Sequence, residues 1–463
     1  MWEKKYEREE RACESRSRDR PGDSMSAPAA TAPTSAPPVR RFRIPGRLAW
    51  PIGYLVAAIL IFVFYYLISM GYLTSVQDWA GRWIPITTVN QSLVWAMCAL
   101  GLNIVVGYAG LLDLGYVAFW AIGSYVAGWL MSSFFFHLKI NFFGDAPPFS
   151  PQGVHINFWI VLVAGAILCA IFGIIIGAPT LRLRSDYLAL VTLGFGEIIP
   201  QFFHNADKQH VHVNISNGTQ GISPVDKISG PTFSPTGGIG WGPLGPFDGL
   251  SRYIFLIILT ALIVFISLRL RVGRLGRAWL AIREDELAAG AMGVPLMRTK
   301  LAAYAVGAVA GGIAGVAYSV EIAGVSPDSF DYNKSIILLA MVVLGGMGNV
   351  WGVILGAIVI FWFNQTGLPQ GGNAFNSAFG THINFPSYNF LIFGLLLVLM
   401  MLFKREGFVP EARTKLVLRE PGRTEVESLG SDLEQPAPEL EEATAGSGDG
   451  LAGSIDSPDR SSP

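Results

Sequence analysis

Four polar side chains lie in or beside long apolar runs: Asn103, Asp113, Asp186 and Glu197. An ionisable group at bilayer depth is costly, so such residues mark ion or proton sites, solute paths or helix–helix locks. Asp186, Leu190, Leu193 and Glu197 recur at helical spacing and share one helix face. Glu197 lies about 18 Å along that helix by the 1.5 Å rise per residue, near the middle of a membrane. It reads either as a translocation residue or as a protonated or paired group that locks a bundle. Asp113 stands between Gly110 and Gly115, where a helix can break. It reads either as a path residue or as a cap.

A different kind of signal is AIREDELAAGAMGVP, residues 281–295. Arg283, Glu284, Asp285 and Glu286 run into a small-residue segment between two apolar spans. The three carboxylates are expected in the first turn of a short helix, where they suit the positive end of its dipole. Ala288 and Ala289 are expected to keep one face small. Gly293 is placed for a left-handed cap, and Pro295 prevents continuation. A short, stiff, small-faced helix of this kind suits a groove on another protein.

Other chemistries find no support. There is no G-x-x-x-x-G-K-[ST] phosphate loop, no H-E-x-x-H and no nucleophile elbow. The six histidines are scattered, so neither a catalytic constellation nor a metal site is expected. Cys98 and Cys169 lie inside apolar spans and Cys13 in a polar tail, which implies no disulfide framework. A net charge of −1 gives no reason to expect a nucleic-acid partner. The sequon Asn214-Ile215-Ser216 matters only in a glycosylating host.

The elements that hold these residues are membrane spans. The chain has 463 residues, 51% of them hydrophobic and 14% charged, where soluble domains carry about 25% charged residues. Apolar segments fall at about 49–72, 86–106, 111–136, 156–178, 186–203, 252–268, 301–322, 335–364 and 388–403, which predicts an all-α, polytopic transmembrane bundle over residues 48–404. Pairs spaced four apart, Gly173/Gly177, Gly307/Gly311/Gly315 and Gly352/Gly356, allow close helix approach. Residues 1–47, basic and Pro-rich, and residues 405–463, acidic, are expected to be disordered tails. Either Met1 or Met25 is a plausible start.

Basic residues cluster in the N-terminal flank, at Arg182 and Arg184, through the loop 269–300, which includes Arg277, and at Lys404-Arg405. These loops are therefore cytoplasmic. Nine single crossings cannot satisfy that assignment at Lys404. The eighth segment offers a solution: SIILLAMVVL and VWGVILGAIVIFWFN flank Gly345-Gly346-Met347-Gly348-Asn349. Two half-helices of about 15 Å could dip in and return around this break, with its irregular backbone buried or lining a path. One kinked crossing is the alternative.

The loop 281–295 resembles the EAA-type loop of ABC importer permeases. The core is similar to branched-chain amino acid permeases of the LivM type. GLNIVVGYAGLLDLGYVAFWAIGSYVAG (101–128), LRLRSDYLALVTLGFGEII (181–199), GRAWLAIREDELAAGAMGVPLMRTKLAAY (276–304) and ILLAMVVLGGMGNVWGVILGA (337–357) carry the resemblance. SNGTQGIS (216–223) departs from the TGG-x-x-G-[IL] run of relatives, and Ser185 stands where Gly is common. The resemblance implies a permease in a bacterial cytoplasmic (inner) membrane, importing Leu, Ile or Val. It implies a companion LivH-type permease, two ATP-binding subunits and a periplasmic or extracellular binding protein. This chain is then no enzyme and carries no cofactor, with ATP held on partner subunits. Arg277, Arg283, Glu284, Asp285, Glu286, Ala288, Ala289 and Gly293 would form the ATPase-coupling loop. Asn103, Asp113, Glu197, Gly345, Gly346, Gly348 and Asn349 are candidates for the translocation path. Relatives importing urea or amides share the core, and a stand-alone secondary transporter or channel using Glu197 and Asp113 is the reading from another class.

Overall fold

The computed structural model describes residues 46–69, 74–142, 153–183, 185–207, 214–233, 239–243, 248–380, 382, 384–404 and 407–409. Both terminal tails, apart from residues 46–47 and 407–409, lie outside the described residues. Helix α1 spans Gly46–Ser69, α2 Thr74–Trp83 and α3 Ile86–Leu102; α3 runs into a π-helical turn, Asn103–Tyr108. Next come α4 (Val117–Leu130), α5 (Phe158–Thr180), α6 (Ser185–Asn205) and α7 (Asp248–Val272). Two short helices, α8 (Arg274–Glu284) and α9 (Glu286–Ala291), lead to α10 (Leu296–Ile322). The chain closes with α11 (Tyr332–Gly345), α12 (Val350–Trp362), a π turn (Phe363–Gly367), α13 (Leu368–Phe379) and α14 (Asn389–Phe403).

Among the described residues, six helical stretches are long and apolar enough to cross a membrane: Pro51–Ile68, Gln77–Tyr108, Phe158–Thr180, Arg252–Val272, Leu296–Ile322 and Val350–Phe379. The chain is a multi-pass helical membrane protein. The four-spaced glycines explain its tight centre. In α10, Gly307 meets the Gly101 carbonyl of α3, Gly311 meets the Tyr116 hydroxyl, and Gly315 meets backbone of Trp120 and Ser124 in α4. On its other side, Ala308 of α10 packs on Gly173 of α5. A Cβ at these glycines would collide with backbone or with packed side chains, so small residues set the interhelical distance.

The segment expected over 111–136 begins its helix only at Val117, and residues 109–116 are non-helical apart from turns. The eighth segment is indeed broken, but its pieces are longer than half-helices. Gly345 packs on Gly352 and Val353, and the Met341 carbonyl lies against Gly356, so α11 and α12 run antiparallel. α11 has 14 residues, about 21 Å at 1.5 Å per residue. After α14, Phe408 and Val409 donate N–H bonds to the carbonyls of Leu344 (2.7 Å) and Gly345 (3.2 Å). The end of α14 therefore returns to the α11–α12 turn. Arg283 reaches the same end of the bundle, donating to the Gly107 carbonyl at 2.5 Å. Lys404 and the basic loop thus share one side, which resolves the parity of the charge pattern.

The opposite end carries strands that the sequence pattern did not suggest. β1 (Met131–Ser132), β2 (Lys139–Phe142) and β3 (Gly153–Ile156) form a sheet in the order β1-β3-β2, and β4 (Ser229–Phe233) pairs antiparallel with β5 (Ile239–Pro243). Bridges Ser132↔Val225 and Ile222↔Val325 tie this cap together.

Candidate functional site

The short helix exists, but its charges are distributed differently from the expectation. Glu284 closes α8 rather than opening the next helix. Asp285 is the N-cap of α9, its Oδ1 accepting from the N–H groups of Leu287 (2.8 Å) and Ala288 (3.0 Å). Glu286 opens α9, and its Oε1 pairs with Lys300 Nζ of α10 at 2.5 Å. Gly293 has φ +86, the left-handed conformation its position implied. Trp279 is fully buried and donates Nε1–H to the Thr299 carbonyl at 2.8 Å, which fastens α8 to α10. Arg277 is exposed and donates to the Val272 carbonyl at 3.3 Å.

The two alanines do not share an outward face. Ala289 is only 5% exposed, turned into the chain, while Ala288 is exposed. Adjacent helical residues are about 100° apart, so the two alanines point in different directions. The outward tip instead presents Leu287 and Met292, at 85% and 86% exposure. These two large apolar side chains stand in solvent on a short, capped helix.

This tip is wired to the broken segment. Arg283 holds the Gly107 carbonyl at the end of the π turn. Within that turn, buried Asn103 uses its Oδ1 to accept the Gly348 N–H at 2.9 Å. Gly346 (φ +115) and Gly348 (φ +83) adopt conformations that disfavour other residues. Asn349 caps α12 by accepting the Trp351 N–H at 3.2 Å, and its Nδ2 donates to the Val409 carbonyl at 3.1 Å. Asn103, Gly345, Gly346, Gly348 and Asn349 are thus brought together as a packed joint beside the 281–295 loop. π turns recur at functional sites because the extra residue displaces a carbonyl from the regular ladder.

Asp113 and Glu197 are not brought together. Asp113 is buried in the non-helical segment, where its Oδ1 accepts the Gly115 N–H at 2.9 Å. The neighbouring Leu114 N–H donates to Thr192 Oγ1 of α6 at 3.1 Å, and Gly115 and Gly196 pack backbone to backbone. Asp113 thereby acts as a turn residue that seats the segment on α6. Glu197 points the other way, exposed on α6 next to Ile198. The side chain of Asp186 lies outside the described residues. Sequence reading missed Thr192, Lys300 and two ion pairs near the strand cap, His155–Asp226 at 2.7 Å and Arg252–Glu321 at 3.3 Å. Only the tertiary fold pairs these residues. No group of three His, Cys, Asp or Glu placed to hold a metal occurs among the described residues.

The profile of the family described as "Branched-chain amino acid transport system / permease component" matches residues 84–401. The high-affinity branched-chain amino acid transport system permease protein LivM of Escherichia coli (strain K12) is 36% identical over 340 residues, covering 71% of this chain and 70% of its own. A probable branched-chain amino acid transport permease protein LivM of Methanocaldococcus jannaschii is 26% identical over 351 residues, 71% of this chain and 95% of its own. The permease protein LivH of Salmonella typhimurium is 21% identical over 276 residues, 59% of this chain and 81% of its own. No solved structure matches. A bundle of apolar helices, a capped helix with an exposed apolar tip, and a family profile spanning the core lead to one assignment: the chain belongs to the branched-chain amino acid transport system permease family.

Proposed function

We propose that this chain is a permease subunit of an ATP-driven importer for branched-chain amino acids in a bacterial inner membrane, working with a companion LivH-type permease, two ATP-binding subunits and a soluble binding protein. The observation that carries the coupling part of this reading is the tip of α9. Leu287 and Met292 stand almost fully in solvent, on a helix fixed by the Asp285 cap, the Gly293 turn and the Lys300–Glu286 pair. An ATPase subunit closing on nucleotide would push this tip. Arg283 then passes the displacement to Gly107, and Asn103 passes it to the α11–α12 turn. ATP and its chemistry belong to the partner subunits, and this chain supplies motion and path.

Glu197 supports the pairing of two permeases. It is exposed on a helix face with Leu190 and Gln201, and a carboxylate at bilayer depth is poorly tolerated against lipid. We assign this face to the companion permease or to the path between the two.

Reconstitution tests the reading. Vesicles holding this chain, its companion and the ATPase subunits should take up leucine only with external binding protein and internal ATP. Uptake by this chain alone, independent of ATP, would establish a solo transporter instead. ATP-driven uptake of urea or a short amide in place of leucine would move the substrate assignment within the same machine.

A further inference from the structure

Three buried side chains in the outer half of the bundle carry polar groups that meet no partner among the described residues. They are Trp120 and Tyr125 on α4 and Ser335 in the first turn of α11, each at most 3% exposed. The unpaired atoms are the Trp120 indole nitrogen and the hydroxyls of Tyr125 and Ser335. Leaving such donors buried and unmet is destabilising, and apolar residues in the same places would avoid the cost. The three stand around one aromatic cluster. The Phe330 ring lies 5.8 Å from that of Trp120 and 6.4 Å from that of Tyr125, and Tyr318 packs edge-on against Trp120 at 4.8 Å. Ser335 lies just past Phe330, on a helix that packs on both α4 and the Pro327–Phe330 turn.

Phe203 closes this cluster from α6. Its ring stacks on that of Tyr125, with centroids 3.7 Å and planes 11° apart. Nearer the cytoplasm α6 is fixed by Gly196, which packs on the backbone of Gly115. Between Gly196 and Phe203 the helix contains Pro200. Proline has no N–H to give the Gly196 carbonyl, so the ladder is already open there and the helix can bend at that point. Beyond it, the Ser216 hydroxyl donates to the carbonyls of Phe203 and Ala206, so the end of α6 moves together with the segment around Ser216. Phe203 is a shutter on a hinge.

The donors select the ligand. An indole nitrogen only donates, so the group that meets Trp120 has to accept. A carboxylate accepts from all three donors at once, whereas an ammonium accepts from none. The rings around them suit an apolar side chain. We infer that this cluster is the transmembrane substrate site: once Phe203 swings off Tyr125, the donors of Trp120, Tyr125 and Ser335 take the carboxylate of the transported amino acid, and its aliphatic side chain lies against Phe330 and Tyr318. The inference rests on the importer reading above and names the residues that hold its substrate in the membrane. The stacked Phe203 marks the closed arrangement.

Tyr125→Phe and Ser335→Ala each delete one hydroxyl that has no partner among the described residues, so neither should lower the thermal midpoint of the purified permease pair. The transport assay uses proteoliposomes of the complete complex, with leucine-loaded binding protein saturating outside and ATP inside. Each variant is expected to lower the leucine taken up per ATP hydrolysed at least fivefold, with ATP hydrolysis within about twofold of wild type. In a Cys13→Ser background, where Cys98 and Cys169 are buried, Tyr125→Cys should react with an external thiol reagent at least threefold faster during turnover than without ATP. A wild-type ratio of leucine to ATP in either hydroxyl variant would overturn the inference. So would a fall in midpoint that tracks the loss of uptake, which is the mark of a merely structural role. Equal labelling of Tyr125→Cys with and without ATP would overturn the shutter. Failure of the importer reading looks different: the wild-type complex itself shows no leucine uptake that depends on binding protein and ATP.

Discussion

The α9 tip permits a quantitative test of the proposed docking, because Leu287 and Met292 contribute little to the packing of the permease itself. Leu287 and Met292 are 85% and 86% exposed, so truncating both to alanine removes almost no internal packing. In a docked complex, fully burying a Leu or Met side chain is worth about 1.5–3 kcal/mol. Alanine retains part of that, which leaves about 1–2 kcal/mol lost per site. The double variant Leu287→Ala/Met292→Ala should then lose about 2–4 kcal/mol of docking energy, a fall in affinity of roughly thirty- to several-hundred-fold. Titrating purified ATPase subunits onto the detergent-solubilised permease pair reads this directly, with the thermal midpoint of the pair as control. The midpoint should stay within about 1 °C while affinity falls. Ala289→Glu behaves oppositely: it forces a charge into a buried position, so the yield of folded permease drops before docking can be assessed. ATPase affinity within about twofold of wild type in the double variant would refute the assignment of this tip as the contact.

The joint and the outer cap give further expectations. Gly107→Ala places a methyl against Asn103 Oδ1 and 2.7 Å from the Gly348 nitrogen; overpacking of this kind costs about 1–3 kcal/mol, visible as a lowered midpoint in thermal size-exclusion assays. Arg252→Met leaves Glu321, whose side chain is 2% exposed, without its cation, and breaking a buried pair in this way costs about 3–5 kcal/mol; the same thermal assay should show a larger loss than for Gly107→Ala. Glu197→Gln should assemble with the companion permease at wild-type levels yet slow uptake, and wild-type uptake at equal expression would remove Glu197 from the path. In a Cys13→Ser background, where Cys98 and Cys169 are buried, Phe379→Cys should label only from outside and Met292→Cys only from the cytoplasm; cytoplasmic labelling of position 379 would undo the antiparallel α11–α12 arrangement.

What the sequence revealed depended on whether the signal was local. Gly293 needed only its neighbours: a charged start, a small-residue helix and Pro295 define a left-handed cap wherever the segment packs. The break at Gly345–Asn349 was equally local, since ten apolar residues before three glycines cannot cross a bilayer alone. Faces were harder to read. The alanine pair looked like one surface because both residues are small, yet helical geometry sends Ala288 outward and Ala289 inward. Only the Lys300–Glu286 tie and the Trp279 anchor, fixed by tertiary contacts, decide which one faces solvent. Asn103 shows the same limit. Its type and depth marked it as a polar group needing a partner, and that partner is a backbone N–H, Gly348, which no side-chain pattern can announce. The consequence for function is specific. Two of the path candidates chosen for polarity also serve as joints, Asn103 closing the α11–α12 turn and Asp113 holding the turn that seats its segment on α6. Glu197, which no residue of this chain satisfies among those described, is the polar group left facing outward. On the importer reading proposed above, this outward-turned carboxylate marks the face that a second permease would cover.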